Sequence, residues 1–387
     1  MDFILTEEQR MITKTISDFI EKEVIPQEKE FLQNERAGLP GISEEKMQEL
    51  QEKAKDLGFW GINTPEKFGG ADFGPFLTTL INIELGKTFI PFAFGGDADN
   101  ILYNADEEQQ QKYLWPVIRG EKTACFALTE PGAGSDAKNI KLSAEKDGQN
   151  WDLNGEKIFI GRAHKADFAM VFALTDKKKG GQGGVTCFLV DREMGWKAEP
   201  IQTIDDWIVS SIVFDNVRVP EENILGGIGE GFELAMKWIT LGRIKVSSWS
   251  VGIAERALQM ATERANSRVA FGNAISQYQA IQWQLADSAV EIEAAKSLVL
   301  QAAYRAEKET EVQRHYASIA KLYSTNMVHR VVDRALQIHG GMGITKEFPL
   351  ERWYRSVRKY RIFEGTDEML RRTIANNLIK GYVNIGD

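Results

Sequence analysis

The chain has 387 residues, 43% hydrophobic and 27% charged, which is ordinary for a globular protein of two or three domains. Its formal net charge of −9 argues against a surface for duplex nucleic acid, which needs a positive footprint. The two cysteines and four histidines follow no disulfide framework and no metal-ligand spacing. We therefore expect no nucleic-acid partner and no metal site.

The amino-terminal segment is typical of a helix start. Thr6 and Gln9 match a capping box, and the segment lacks the basic and apolar regions of an export signal. The most apolar window, residues 76–94, is interrupted by charged residues and by Pro91, so no membrane span is predicted. Together these features predict a cytoplasmic protein that has no membrane partner.

Three regions follow one another along the chain. Residues 1–120 predict an amino-terminal helical domain, residues 121–230 a middle β domain, and residues 231–387 a carboxy-terminal helical bundle. The strands of the middle domain are predicted at Ala124–Thr129, Trp151–Ile160, Phe168–Leu174, Val185–Val190 and Ile212–Val219. The long helices of the bundle are predicted at 232–266, 274–308 and 311–339. The fold class is therefore α+β with a compact antiparallel β region.

Two motifs contain residue types suited to ligand binding or proton transfer. In Leu128–Asp136, LTEPGAGSD, a strand runs into a loop whose backbone N–H groups can approach a flat or anionic ligand closely. In RIFEGTDE, Glu364 has the apolar neighbours that suit a general base, and Thr366 is a candidate N-cap. Taken alone, the first motif is better explained by a tight turn after a strand and the second by a helix start. RVAFG at 268–272 and QIHGGMG at 337–343 are likewise compatible with helix ends, and His339 with a structural histidine.

Taken in order, the motifs resemble the acyl-CoA dehydrogenase family over nearly the whole chain. The shared pieces are TEPGAGSD, NGEKIFI, FDNVRVP, GEGF, GRI, RVAFG, QIHGGMGI and FEGTDE. The resemblance implies an amino-terminal helical domain, a middle antiparallel β-barrel-like domain and a carboxy-terminal four-helix bundle. It also implies FAD as cofactor, an acyl-CoA substrate, an electron-transfer flavoprotein as electron acceptor, and a homotetramer arranged as a dimer of dimers in fatty acid metabolism.

The resemblance also implies roles for individual residues. Glu364 is the implied catalytic base, which takes the α-proton of the thioester while the β-carbon passes hydride to the flavin, giving the trans-2-enoyl-CoA. The implied FAD-binding residues, with those at 268, 271 and 279 serving a neighbouring subunit, are Phe126, Leu128, Thr129, Phe159, Arg268, Phe271, Gln279, Gln337, Gly340, Gly341, Thr366 and Glu368. The implied substrate-binding residues are Ser135, Arg243, Phe92, Phe94 and Gly365.

The chain departs from the family pattern at three places. Gly161 stands where a hydroxyl residue usually meets flavin N5, the stretch 205–209 lacks the usual Gly–Arg pair, and Ser356 replaces an Asp. Some relatives carry the base at the position of Gly242, so only Glu364 remains for that role here.

The acyl group and several alternatives stay open at this point. Phe92 and Phe94 lie in the segment that should form the far end of the acyl cavity, which favours short, branched or aromatic acyl groups, although core packing explains them equally well. An acyl-CoA oxidase or a flavin monooxygenase is the alternative on the same scaffold, and monooxygenase relatives tend to lose the catalytic carboxylate. A non-enzymatic helical interaction protein is the alternative from another class.

Overall fold

The protein is described by a computed structural model that covers residues 5–205, 207–308 and 312–384. The described helices are α1 (Glu7–Phe19), α2 (Gln27–Arg36), α3 (Glu44–Asp56), α4 (Gly74–Gly86), α5 (Glu107–Gln109), α6 (Trp115–Ile118), α7 (Gly231–Ser267), α8 (Gln279–Glu307), α9 (Gln313–His339), α10 (Pro349–Lys359) and α11 (Asp367–Ile379). The described strands are β1 (Ala124–Ala127), β2 (Ser143–Asp147), β3 (Asn150–Gly161), β4 (Phe168–Leu174), β5 (Val185–Asp191), β6 (Lys197–Ile201), β7 (Val209–Pro220), β8 (Ile224–Leu225), β9 (Val269–Ala270) and β10 (Asn273–Ala274). The predicted order of helices, strands and helices is confirmed.

The chain divides into two compact units. The helical unit contains Met1–Phe59, Asp72–Phe94 and Thr240–Asp387, and the β unit contains Trp60–Ala71 and Gly95–Ile239. The predicted domain boundaries at residues 120 and 230 stay predictions. Among the described residues, no helix combines the length and low charge that crossing a membrane requires.

The first helix begins as its sequence predicts. The Thr6 side chain accepts a hydrogen bond from the Gln9 N–H at 3.1 Å, and the Gln9 side chain accepts from the Thr6 N–H at 3.0 Å. The two bonds satisfy donors that the first turn leaves unpaired, so the capping box fixes where α1 starts.

The β unit is built on one sheet with the strand order β6-β7-β3-β2-β4-β5-β8. All five predicted strands are present, and β2 and β6 are additional strands whose polar sequences gave no apolar run to predict from. The pairing is antiparallel except at β4, where β1 and the start of β2 pair parallel. The predicted antiparallel β region is thus confirmed for the other pairs of the sheet, and the parallel pairing at β4 is a feature that the prediction did not contain. The β2–β3 hairpin lies between β1 and β4 in the chain and provides the long connection that parallel neighbours require.

Strands β4 and β5 form the centre of the β unit because both of their faces are buried. Phe168, Met170 and Phe172 pack on one face of the sheet, against a core that includes Tyr113 and Leu234. The alternate residues of β4 pack on the other face, with side chains from β3 and β7. This double burial explains why both strands are nearly continuous apolar runs and not alternating ones.

The helical unit is dominated by α7, α8 and α9. The predictions for α7 and α9 agree with the observed ends to within two residues, apart from residue 311, which lies outside the described residues. The prediction that α8 starts at residue 274 was wrong, because the β9–β10 hairpin and a 3₁₀ turn occupy the residues before Gln279. Phe271 and Gly272 turn this hairpin with φ of +50° and +86°. No helix accommodates that backbone geometry.

Helices α4 and α7 approach each other closely at two glycines. A Cβ built on Gly252 would lie 1.9 Å from the carbonyl oxygen of Ile83, and one on Gly86 would lie 2.6 Å from the carbonyl oxygen of Trp249. Both obstacles are backbone atoms, which cannot move aside as a flexible side chain would. The packing of α7 on α4 therefore requires glycine at both positions.

We expect Gly252→Ala to lower the free energy of unfolding by about 1–3 kcal/mol, the range typical of overpacking. Urea unfolding followed by circular dichroism measures this loss. Thr262→Ala on the exposed side of the same helix is the control, and we expect a change within about 0.5 kcal/mol. Equal effects of the two substitutions would contradict the close approach.

Candidate active site

Glu364 lies in the loop between α10 and α11 in an unusual backbone conformation. Its φ is +56°, and the following Gly365 has φ of +95°. A non-glycine residue in the left-handed region costs on the order of 1–3 kcal/mol and persists only where its surroundings hold it. Thr366 caps α11 as predicted, since its side chain accepts from the Met369 N–H at 3.4 Å. The helix thus begins three residues after Glu364, at Asp367.

Two buried cations hold the backbone on both sides of Glu364. Arg243 on α7 donates from Nε to the carbonyl oxygen of Glu364 at 2.9 Å. Lys321 on α9 donates from Nζ to the carbonyl oxygens of Phe363 at 2.7 Å and Gly365 at 2.6 Å. Three successive carbonyl groups are therefore bound by side chains of two different helices.

Burial sets the electrostatics of these two cations. It lowers the pKa of Lys321 to about 8, against the opposing attraction of Glu364. It also lowers the pKa of Arg243 to about 10, an effect that Arg314 strengthens and Glu364 opposes. Both values lie above neutral pH, so both groups remain largely charged there. The base candidate therefore faces two positive charges.

The carboxyl group of Glu364 lies over Gly242 of α7. A Cβ at Gly242 would lie 3.0 Å from Cδ of Glu364 and 3.2 Å from its Oε2. Any larger residue would compete with the carboxylate for this space. Glycine at position 242 therefore leaves space for the Glu364 carboxylate. By the family resemblance, some relatives carry the base at this same helix position.

The sequence analysis singled out Arg243 and Gly365 but missed Lys321. Its signal was nevertheless present, because Lys321 lies on the buried face of α9 with Ala317, Ser324 and Val328. A lysine at an apolar-face position is rarely buried without a bonding role. His339, by contrast, is a structural histidine as expected, with Nδ1 at 2.8 Å from the Ala335 carbonyl oxygen.

The remaining predicted cofactor residues of the helical unit are mostly exposed. Phe271, at the tip of the β9–β10 hairpin, is 97% exposed with φ of +50°. The other exposed members are Arg268, Gln279, Gln337, Gly340, Gly341 and Glu368. Gly340 adopts φ of +62° and ψ of −140°, and a Cβ at Gly340 or Gly341 would meet no atom within 4 Å. These positions are open in the way that a bound cofactor requires, and their assignment stays a prediction.

In the β unit, a buried ion pair holds the loop after β1. Lys157 donates from Nζ to the carbonyl oxygen of Leu128 at 2.9 Å and to Oε1 of Glu130 at 2.8 Å. Glu130 in turn accepts from the N–H groups of Lys141 and Leu142 at 2.6 and 2.9 Å. Burial lowers the pKa of Lys157 to about 8, while Glu130 acts against this shift. The TEPGAGSD loop is thus anchored at its start by residues that the sequence analysis did not assign.

The outer part of the same loop is open. A Cβ at Gly132 or Gly134 would meet no atom within 4 Å, and Ser135 is exposed. Thr129 is held from the neighbouring strand, since its carbonyl oxygen accepts from the Ile158 N–H at 2.9 Å. The loop therefore combines a fixed base with free space around its glycines, which suits close approach of a ligand.

The two predicted aromatic cofactor residues of the β unit differ in their environment. Phe126 stacks on Trp238, with ring centroids 4.1 Å apart and planes inclined by 8°. Phe159 is 60% exposed and has φ of +58°, at a register shift where β3 pairs with β7. Of the two, Phe159 is the residue that presents a free aromatic surface.

Two of the departures from the family pattern meet in space. A Cβ at Gly161 would lie 3.5 Å from Cζ2 and 3.6 Å from Nε1 of Trp207. Trp207 belongs to the stretch 205–209, in which Asp206 lies outside the described residues. The indole thus borders the space that a side chain at position 161 would enter. We find no structural explanation for Ser356.

Phe92 and Phe94 are members of a buried aromatic row in the helical unit. Their rings lie 5.2 Å apart, and the row continues to Phe19 at 5.6 Å from Phe92 and to Phe59 at 5.8 Å from Phe94. Both are 7% exposed. They are therefore packed in the core, and their predicted contact with an acyl group stays a prediction.

The described residues contain no group of three or more His, Cys, Asp or Glu side chains placed to hold a metal ion. The functional groups are instead a fixed carboxylate in a helical unit and glycine-rich open loops in both units. This combination suits proton transfer by a fixed carboxylate and the close approach of a large ligand.

Comparison with known proteins identifies the family. The models of the acyl-CoA dehydrogenase N-terminal, middle and C-terminal domains match residues 6–121, 125–217 and 229–379. The chain belongs to the acyl-CoA dehydrogenase family, a family of flavin-dependent oxidoreductases. The expected fold and family are thereby confirmed.

Several relatives match over almost their full length. The 3-(aryl)acrylate reductase of Clostridium sporogenes is 37% identical, covering 97% of this chain and 99% of the relative. The caffeyl-CoA reductase-Etf complex subunit CarC of Acetobacterium woodii is 36% identical, with the same coverages. The solved butyryl-CoA dehydrogenase of Megasphaera elsdenii is 33% identical with a TM-score of 0.85, covering 98% of this chain and 100% of that one.

We expect Lys157→Met to lower the free energy of unfolding by about 3–5 kcal/mol, because it leaves the buried Glu130 carboxylate without its cation. Flavin content should fall with it if the loop after β1 binds the cofactor. Lys146→Met is the matched control, since its partner Glu221 at 2.7 Å is 39% exposed, and should cost less than about 1 kcal/mol. Similar unfolding midpoints for both variants would contradict the importance of the buried pair.

Proposed function

We propose that the protein dehydrogenates an acyl-CoA thioester between its α and β carbons to the trans-2-enoyl-CoA, with FAD as cofactor. Electrons then pass to an electron-transfer flavoprotein. The observation that carries this proposal is the geometry of Glu364, whose carboxylate lies over Gly242 while its backbone is fixed by Arg243 and Lys321. A proton acceptor held this way meets the positional demand of general base catalysis.

The residues then divide the chemistry as follows. The Glu364 carboxylate accepts the α-proton, and the Glu364 backbone N–H polarises the thioester carbonyl, as the family resemblance implies. The flavin, when bound, would accept the hydride from the β-carbon. Arg243 and Gly365 keep the loop in place around the substrate, and Ser135 contacts the pantetheine arm.

The cofactor assignment follows the residues that the family resemblance implies. The proposed FAD contacts are Phe126, Leu128, Thr129, Phe159, Arg268, Phe271, Gln279, Gln337, Gly340, Gly341, Thr366 and Glu368. The open space at the glycines and the exposed aromatic rings support this assignment. Phe271 stands clear of its own chain, which supports a role toward the cofactor of a neighbouring subunit.

The wider context is part of the same proposal. We propose that the protein is cytoplasmic and forms a homotetramer arranged as a dimer of dimers. We also propose that it acts in fatty acid or related acyl-CoA metabolism. The domain boundaries are residues 120 and 230. The Acetobacterium woodii relative is named as a subunit of a reductase-Etf complex, which supports an electron-transfer flavoprotein as the partner.

A second candidate function is the reverse reaction, reduction of an enoyl-CoA. Two relatives are named as reductases, one of aryl acrylates and one of caffeyl-CoA. The same carboxylate then returns a proton to the α-carbon. Anaerobic titration of the oxidised flavin with acyl-CoAs, and of the reduced flavin with enoyl-CoAs, distinguishes the favoured direction. Rapid recovery of flavin colour in air would indicate an oxidase, and a colourless protein would indicate the non-enzymatic alternative.

We expect Glu364→Gln to reduce flavin with acyl-CoA at least about 10²-fold more slowly, because glutamine keeps the shape but accepts no proton. Stopped-flow absorbance under anaerobic conditions measures the rate, and flavin content should be unchanged. Glu263→Gln, on the exposed side of α7, is the control and should react at the parental rate. A parental rate for the Glu364 variant would exclude Glu364 as the base.

Substrate size provides a separate test. If Phe92 and Phe94 form the end wall of the acyl cavity, Phe92→Leu and Phe94→Leu should shift the preferred acyl-chain length upward. Each additional methylene that fits contributes about 0.8 kcal/mol. kcat/KM across a series of acyl-CoAs measures the shift. Phe31→Leu removes a comparably buried ring that packs on Phe89 and should leave the optimum unchanged. A parental preference for palmitoyl-CoA over butyryl-CoA would contradict the cavity role.

A further inference from the structure

We propose that Lys321 is a positioning residue for the catalytic base. Its ammonium group binds the carbonyl groups of Phe363 and Gly365, the residues on either side of Glu364, and thereby sets the direction of the carboxylate. This inference rests on the proposed function of Glu364 as the base. Lys321 lies on α9, outside all of the family motifs in the sequence. The inference therefore gives a role in the reaction to a residue that the motifs do not include.

The hydrogen bonds of the Lys321 side chain are all made to the loop that carries Glu364. The residue is fully buried, and its Nζ donates at 2.7 and 2.6 Å to the carbonyl oxygens immediately before and after Glu364. Two carbonyl groups directed at one atom cannot rotate independently. With Arg243 binding the carbonyl between them, these bonds hold the loop in the arrangement in which Glu364 has its positive φ.

The charge of Lys321 is not explained by an ion pair. Within the described residues its Nζ forms hydrogen bonds to main-chain oxygens and no salt bridge to a carboxylate. A buried ammonium is costly, and burial accordingly lowers the pKa of Lys321 to about 8. A neutral side chain would avoid that cost, so the loop is held by a strong, charge-assisted donor at the expense of stability.

The neighbouring helix start is anchored to α9 in the same way. Asn326 donates from Nδ2 to Oδ2 of Asp367 at 3.0 Å, and Arg361 donates from Nε to the same oxygen at 2.9 Å. Asp367 is 2% exposed. Together with the Lys321 bonds, the Asn326 bond ties the Glu364 loop and the start of α11 to α9.

The charged groups around Lys321 define a pH dependence. Glu364 and Asp367 stabilise its ammonium form, whereas Arg243 on α7 opposes it. Arg314 on α9 acts on Arg243, and Arg361 pairs with Asp367. As pH rises through about 8, the ammonium loses its proton and the donor weakens. We therefore expect the parent rate of flavin reduction to decline on the alkaline side with a midpoint near the pKa of Lys321.

Stability changes in the opposite direction over the same pH range. Burial lowers the pKa of Lys321 to about 8 from its ordinary value of 10.5, so the unfolded chain binds more protons between these two values. The free energy of unfolding therefore rises with pH across this interval as far as Lys321 is concerned. This rise is a readout of the buried ammonium that does not depend on activity.

Two variants separate the charge from the hydrogen bonds. Lys321→Met removes both, and Lys321→Gln keeps an N–H donor without the charge. The assay is anaerobic flavin reduction by butyryl-CoA and by 3-phenylpropionyl-CoA, recorded from mildly acidic to strongly alkaline pH. Lys296→Met is the control, because Lys296 binds Glu255 on the partly exposed side of the helical unit.

We expect Lys321→Met to lower the maximal rate about 10²-fold, the loss typical of a base displaced by about 1 Å, with little change in KM. The decline of the flavin reduction rate at alkaline pH should disappear. The part of the rise in unfolding free energy that is due to Lys321 should disappear as well. Lys321→Gln should retain a higher rate than Lys321→Met and also lose the alkaline decline. The control should keep the parental rate and the parental pH profile.

A Lys321→Met enzyme with the parental rate and the parental alkaline decline would overturn the proposal. If that variant fails to fold, Lys321→Gln decides: an unchanged alkaline decline overturns the proposal and its loss supports it. Failure of the proposed function gives a different pattern. In that case neither substrate reduces the parent flavin, and Glu364→Gln behaves like the parent.

Discussion

The candidate active site depends on one constraint, which is the binding of consecutive main-chain carbonyl groups by buried cations. Glu364 occupies the left-handed region at a conformational cost, and the bonds from Arg243 and Lys321 offset it. The loop itself is short and contains Gly365, whose φ is +95°. Its geometry is imposed by α7 and α9. A carboxylate on such a loop keeps one direction because the peptide planes beneath it cannot turn.

The β unit uses the same physical device. Lys157 is buried, donates to the carbonyl oxygen of Leu128 and pairs with Glu130, so the loop after β1 is fixed at its base. The glycines beyond this anchor stand in open space. In both units, burial lowers the pKa of a lysine whose ammonium group binds the main chain of a loop. This contrasts with the surface ion pairs of the protein, which contribute little to its stability.

Glycine determines how closely backbones and side chains approach each other. Gly252 permits contact between α7 and α4, and Gly242 leaves space for the carboxyl group of Glu364 on the same helix. Gly161 plays a third role, because the indole of Trp207 borders the space that a side chain there would enter. Two departures from the family pattern that are separate in sequence are thus one local change in structure.

Local patterns in the sequence determined the capping box at Thr6, the N-cap at Thr366 and the central strands, because capping and apolar runs act between near neighbours. Motif order determined the family and the candidate base. The sequence did not reveal the parallel pairing of β1 with β4, because pairing depends on how distant segments meet. Nor did it reveal the roles of Lys157 and Lys321, since a lysine in a helix or strand is usually solvated. Only tertiary structure decides which lysine is buried, and it does so by bringing main-chain oxygens to the charge.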